Sequence, residues 1–259
     1  MLIVISPAKK LDFDNPAPFE THTKADFLKE SQRLINTLRM LSELDLMELM
    51  NLSSKLSKLN FDRYYTWSTP FNLENAKQSI FAFRGDVYAG LDADSLNQND
   101  LDFAQNHLRI LSGLYGFLKP MDLMQPYRLE MGTRLVTERG KNLYEFWGEM
   151  ITNGLNKALK AQGDEILINL ASQEYFKSVK PKKLQGKIIT PAFKELKNGH
   201  YKMIGIYAKK ARGLLSRYII QNKISQPDEI KSFDLDGYVF RESFSDDQNF
   251  IFTRGTGNK

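Results

Sequence analysis

LRILSGLYGFLKPMDLMQPYRLEMG, Leu108–Gly132, begins as a strand and ends as something else. Leu108-Arg109-Ile110-Leu111-Ser112 is an apolar run of strand length. Gly113-Leu114-Tyr115-Gly116 then permits a tight turn, which exposes amide N–H groups able to cradle an anion. Lys119-Pro120 and Gln125-Pro126 force extended or turn backbone, and Tyr127-Arg128-Leu129-Glu130 sets a cation beside a carboxylate after a rigid proline. A core connection explains the strand and the turn. The charged remainder is what a ligand site at a strand end of an α/β sheet contains, and Arg109 and Ser112 lie on that same strand.

The same strand-then-charge pattern recurs outward from this stretch. Leu2 to Ser6 reads as a buried strand that runs into Pro7, Lys9 and Lys10. Ser79 to Phe83 reads as a strand leading to Arg84-Gly85-Asp86, and Ile166 to Ala171 as a strand covered on both faces. Lys187 to Leu196 and Tyr201 to Tyr207 flank Asn198-Gly199, a hairpin signal, and Lys194-Glu195 falls within it. Helical spacing covers Asp26 to Leu38, Leu41 to Leu59, Leu101 to His107 and Asn142 to Leu159, the last with Gly163 as its stop. Strands and helices interleave without repeat, low-complexity tract or linker, which predicts one mixed α/β domain over residues 1–259.

Ile206 to Ile220 predicts an amphipathic helix with Ala208, Ala211, Leu215, Tyr218 and Ile219 on one face. Lys209, Lys210, Arg212 and Arg217 lie around the opposite face, where Gly213 and Ser216 leave room for a phosphate backbone to approach. Glu174 through Arg217 holds 12 Lys/Arg against 2 Asp/Glu, a net of +10 in a chain whose total is +5, so the remainder is net −5. Charge concentrated in this way steers polyanions and releases their counterions on contact.

Composition narrows the chemistry. With no cysteine, disulfides, thiolate metal sites and cysteine nucleophiles are excluded. His22, His107 and His200 are scattered without metal-ligand spacing, so neither a metal nor a cofactor is expected. There is no Walker loop, GxGxxG or GxSxG. The apolar run at the amino terminus is too short for a signal peptide, and no stretch approaches the roughly 20 apolar residues of a membrane helix. The expected location is the cytoplasm.

ISPAKKLD at Ile5–Asp12, FRGDVYAGLDA at Phe83–Ala93, the opening stretch, LINLASQEYF at Leu167–Phe176 and IGIYAKKARG at Ile204–Gly213 together resemble the YaaA family of bacterial peroxide-stress resistance proteins. The resemblance covers essentially the whole chain. It implies a cytosolic protein that limits free iron and the resulting oxidative damage to DNA. It also implies an α/β fold with a helix-hairpin-helix-like element, matched here by Leu111–Pro120, beside a basic cleft that binds double-stranded DNA without strong sequence preference.

Residue pattern and resemblance converge on a phosphate-binding cleft. Its candidate contacts are Lys9, Lys10, Arg84, Arg109, Arg128, Lys194, Lys209, Lys210, Arg212 and Arg217, with the amides of Gly113 and Gly116 and the ring of Tyr115. The competing reading is an enzyme that acts on a nucleobase, nucleotide or phosphorylated small molecule in the same cleft, with Lys9, Tyr115, Arg128 or Glu130 as acid/base or covalent groups.

Overall fold

The computed structural model describes residues 1–255. Eight strands form its main sheet: β1 (Leu2–Ile5), β2 (Leu108–Ser112), β3 (Gly116–Leu118), β4 (Ile166–Leu170), β5 (Lys187–Lys197), β6 (His200–Lys202), β7 (Tyr238–Phe240) and β8 (Asn249–Arg254). Their order is β7-β8-β5-β4-β1-β2-β3, with β6 paired to β5. The five inner strands run parallel, from β8 across to β2, and the outer pairings are antiparallel. β1 and β2 are buried at every residue, as strands covered on both faces must be. The predicted mixed α/β architecture is therefore observed.

Among the described residues, the α-helices of five or more residues are α1 (Leu28–Leu38), α2 (Glu43–Met50), α3 (Ser54–Thr66), α4 (Asp86–Leu91), α5 (Gln98–His107), α6 (Leu143–Trp147), α7 (Met150–Gln162) and α8 (Gly205–Gln221). α1 buries Leu34, Ile35 and Leu38 along one stripe, and α8 buries Ala208, Ala211, Leu215 and Ile219. Among the described residues no helix is long and apolar enough to cross a membrane.

Five expectations are corrected. Leu111–Pro120 is not a helical hairpin: Leu111 pairs with Phe117 and Ser112 with Gly116, so the segment is the β2–β3 hairpin. The helix expected over Leu41–Leu59 divides at Asn51, whose φ of 50° ends α2, and Ser53 caps the start of α3. The helix expected from Asn142 divides at Gly148, between α6 and α7. Ser79–Ala82 is one helical turn, because its backbone is drawn to the Lys119–Asp122 loop: Ser79 N donates to Asp122 O at 2.9 Å and Ile80 N to Pro120 O at 3.0 Å. The strand expected over Tyr201–Tyr207 ends at Lys202, and α8 begins at Gly205.

β1 is the point at which the sheet changes direction. Its later neighbours β2 and β4 lie on opposite sides of it, both parallel to it. Connections that diverge from one strand leave a crevice beyond its carboxyl end, the place where open α/β sheets bind ligands.

Candidate functional site

A pocket of about 490 Å³ occupies that crevice. Ser6 to Lys10 continue from β1 into its wall, and Ser172 and Glu174 follow β4 into it. The α4 start supplies Gly85 to Tyr88, the Tyr127–Glu130 stretch a third side, and α8 adds Lys209 and Arg212. Its lining carries the cations Lys9, Lys10, Arg84, Arg128, Lys209 and Arg212, and the carboxylates Asp86, Glu130 and Glu174.

The floor is fixed by hydroxyl contacts. Ser172 N donates to Ser6 Oγ at 2.8 Å, and Ser6 Oγ donates to Ser172 Oγ at 3.3 Å, which ties the tips of β1 and β4 together. Tyr88 Oη donates to Ser6 O at 3.2 Å, and Tyr127 Oη lies 2.6 Å from Ser112 Oγ. Burial drives both phenols well above the usual tyrosine pKa, so they stay protonated at neutral pH.

The cations fall into two groups. Lys9 Nζ lies 2.8 Å from Glu130, and Arg128 reaches the same carboxylate at 3.2 Å. Arg84 sits between Asp12 at 3.1 Å and Asp94 at 3.0 Å. Burial alone would raise the Asp12 pKa, but hydrogen bonds from Asn15 and Arg84, with Lys77 nearby, hold it down at about 2. In contrast, the side chains of Lys10, Lys209 and Arg212 have no hydrogen-bond or carboxylate partner among the described residues. Lys10 lies directly opposite Arg84 in a short antiparallel pair formed by Lys10–Leu11 and Phe83–Arg84, a repulsive placement for two cations. Arg212 is half-buried, and loss of solvent pulls its pKa below the normal guanidinium value. Arg128 Nε is buried and unpaired.

The remaining predicted contacts lie elsewhere. Arg109 is the second residue of β2, towards the end away from Ser112; it is buried, and its Nη1 donates to Leu108 O at 2.7 Å and Gln105 O at 3.0 Å. Tyr115 is fully buried, accepting from Trp67 Nε1 and Gln125 N, each at 3.0 Å. The Gly113–Gly116 turn is core rather than an anion cradle: Tyr115 N is taken by Ser112 Oγ, and Trp147 Nε1 donates to Gly113 O. Gly116 has a φ of 69°, and a Cβ there would stand 2.8 Å from the Trp147 ring.

Lys194 lies on β5, two strands from β1, and outside the pocket lining. Its neighbour Glu195 is buried in a contact with Tyr238 Oη and with Arg254 at 2.8 Å. Lys210 points to Asp236 at 3.7 Å, and Arg217 donates to Asp92 O at 2.8 Å. Gly213 and Ser216 face the protein interior instead of leaving space for phosphate. Sequence reading passed over Ser6 and Ser172 as site residues, and also Glu174. LINLASQEYF carries the same strand-then-polar signal that drew attention to Lys9 and Lys10. Among the described residues no group of three or more His, Asp or Glu side chains is placed to hold a metal ion.

An open, mostly parallel sheet with a pocket at its switch point defines the class: an α/β protein with a polar, charged strand-end pocket. The family model described as peroxide stress protein YaaA matches residues 1–244, and the chain belongs to that family, with a role in peroxide stress. Among its relatives, a UPF0246 protein of Aliivibrio fischeri is 58% identical over 259 residues, covering 100% of both chains. A UPF0246 protein of Saccharophagus degradans is 58% identical over 254 residues, covering 98% of this chain and 99% of its own, and one of Shewanella loihica is 55% identical over 254 residues, covering 98% of each.

Proposed function

We propose that the chain acts in the peroxide-stress response as a cytosolic DNA-binding protein that holds duplex phosphates at the strand-end pocket, without strong sequence preference, and so limits iron-dependent oxidative damage to DNA. One observation carries this reading: cations from four separated stretches meet at one opening, and Lys10, Lys209 and Arg212 have no carboxylate matched to them. Buried or crowded cations without counterions favour a bound anion, and phosphate contacts fix position on a duplex without reading sequence. Survival of hydrogen peroxide by cells lacking the protein tests the proposal. Complementation by Lys10→Ala/Lys209→Ala is expected to fail, while Lys194→Ala/Lys210→Ala, which removes the same charge outside the pocket, is expected to protect. Equal protection by both pairs would contradict it.

A second reading has its own observation. Glu130 is held between Lys9 and Arg128 on the pocket wall, the arrangement of a positioned acid/base group in an enzyme acting on a nucleotide or phosphorylated small molecule. In that case Glu130→Gln abolishes protection while duplex affinity is retained.

A further inference from the structure

We propose that the pocket at the β1 switch point takes a terminal phosphomonoester of a nucleotide, the phosphorylated end of a broken strand or a free mononucleotide, in preference to the internal diesters of continuous duplex. This rests on the DNA-binding reading for the first source and stands without it for the second.

Shape is the first ground. Duplex DNA carries about one phosphate charge per 1.7 Å of axis, so a surface for continuous backbone is a cationic strip. Here the unpaired cations converge on one concavity of about 490 Å³, within the range of about 300–1,000 Å³ of small-ligand sites. Arg109, Lys194 and Arg217, which would have extended a strip, lie outside it.

Charge is the second. Lys10, Lys209 and Arg212 lack partners among the described residues, and the planar guanidinium of Arg212 suits two oxygens of one phosphate. A terminal phosphomonoester carries about −1.5 to −2 at pH 7, against a single charge on an internal diester, so it gains more from three clustered cations.

The carboxylates are the third. Asp86, Glu130 and Glu174 share the lining with those cations. A run of diesters passing them would be repelled at each. A single nucleotide places its one phosphate on the cations and offers sugar hydroxyls or base amines to the carboxylates, which accept hydrogen bonds. Ser6 and Ser172, fixed to each other at the strand tips, add hydroxyls that serve as donor or acceptor.

The test compares four fluorescent duplexes of one sequence by anisotropy at about 150 mM salt. One has 5′-phosphate ends, one 3′-phosphate ends, one hydroxyl ends, and one is a dumbbell closed by hairpin loops and so without ends. Unlabelled deoxyadenosine monophosphate and deoxyadenosine serve as competitors. A phosphorylated end is expected to bind about tenfold more tightly than hydroxyl ends or the dumbbell, the size of one charge-assisted contact. The monophosphate is expected to compete and the nucleoside not.

Arg212→Gln is expected to weaken binding of phosphorylated ends about tenfold more than it weakens binding of the dumbbell, so that the preference is lost. Lys209→Gln, at an exposed position, gives the same readout should the first variant lose its fold. Equal affinity for phosphorylated ends and dumbbell, without competition by the monophosphate, overturns this proposal and leaves the DNA-binding reading in place. Binding of the monophosphate with no binding of any duplex overturns the DNA-binding reading and supports the pocket assignment, with a free nucleotide as source. Binding of neither overturns both.

Discussion

Gly90 and Gly213 meet where α4 packs against α8: a Cβ on Gly213 would stand 1.8 Å from Val87 O, and one on Gly90 would stand 2.2 Å from Lys210 O. Both obstacles are backbone atoms of the partner helix, so no rotamer change relieves either. This contact sets the height of α8 over the pocket and therefore the positions of Lys209 and Arg212.

Gly213→Ala is expected to destabilise the protein by about 1–3 kcal/mol, the usual cost of overpacking. Helix propensity works the other way by up to about 1 kcal/mol and does not offset a clash with main chain. Urea unfolding should show a lower midpoint, and duplex affinity should fall with it as α8 moves outward.

Tyr115 makes a converse prediction. Tyr115→Phe leaves Trp67 Nε1–H and the Gln125 N–H without their acceptor in the core. The expected loss is about 2–6 kcal/mol at roughly 1–3 per buried donor. Duplex affinity, measured where the variant remains folded, should be unchanged, because the ring lines no part of the pocket. A wild-type midpoint would contradict the structural role.

Asp12 and Asp122 give the stability curve two acid limbs of opposite sign. The Asp12 pKa is depressed from 3.8 to about 2, so its contribution is present above the unfolded pKa and is lost as pH falls through the folded one. That is about 2 kcal/mol between pH 4 and pH 2 at roughly 1.4 per unit, and Asp12→Asn should remove the decline.

Burial raises the Asp122 pKa from 3.8 to about 6, despite hydrogen bonds from Thr23 and the Lys119 backbone. Its contribution is therefore full below the unfolded pKa and is lost as pH rises through about 6. Asp122→Asn, which keeps an acceptor for Thr23, is expected to flatten that limb by up to about 3 kcal/mol. Thermal melts from pH 2 to pH 7 read both variants, and a slope in Asp122→Asn equal to the wild type would contradict the assignment.

Local chemistry was legible where one residue decided the backbone. Gly163 ends α7 with a φ of 64°, and Asn198-Gly199 turns β5 into β6 with both φ positive. Ile166–Leu170 and Leu108–Ser112 are the strands their apolar runs imply. Ser79–Phe83 misled because its apolar run is buried by a distant loop, a tertiary contact that no local pattern records.

The site divides along the same line. Lys9, Lys10, Arg84 and Arg128, drawn from charged stretches that follow apolar or proline-bounded segments, all line the pocket. Arg109 failed because charge at the amino end of a parallel strand faces away from the crevice at the carboxyl ends. On α8, helical spacing separated apolar from basic residues but did not show that α4 claims Gly213 and the side of Arg217, leaving only Lys209 and Arg212 for the pocket.

The central claim is that duplex phosphate is held by the pocket cations, and the salt dependence of duplex binding tests it most directly. Each phosphate neutralised adds about 0.9 to the slope of log K against log salt. Lys10→Ala/Lys209→Ala is expected to reduce that slope by about 2 and to weaken binding equally for unrelated sequences, while Lys194→Ala/Lys210→Ala leaves the slope nearly unchanged. A wild-type slope in the pocket double variant, or a reduction shared by both pairs, would contradict the account.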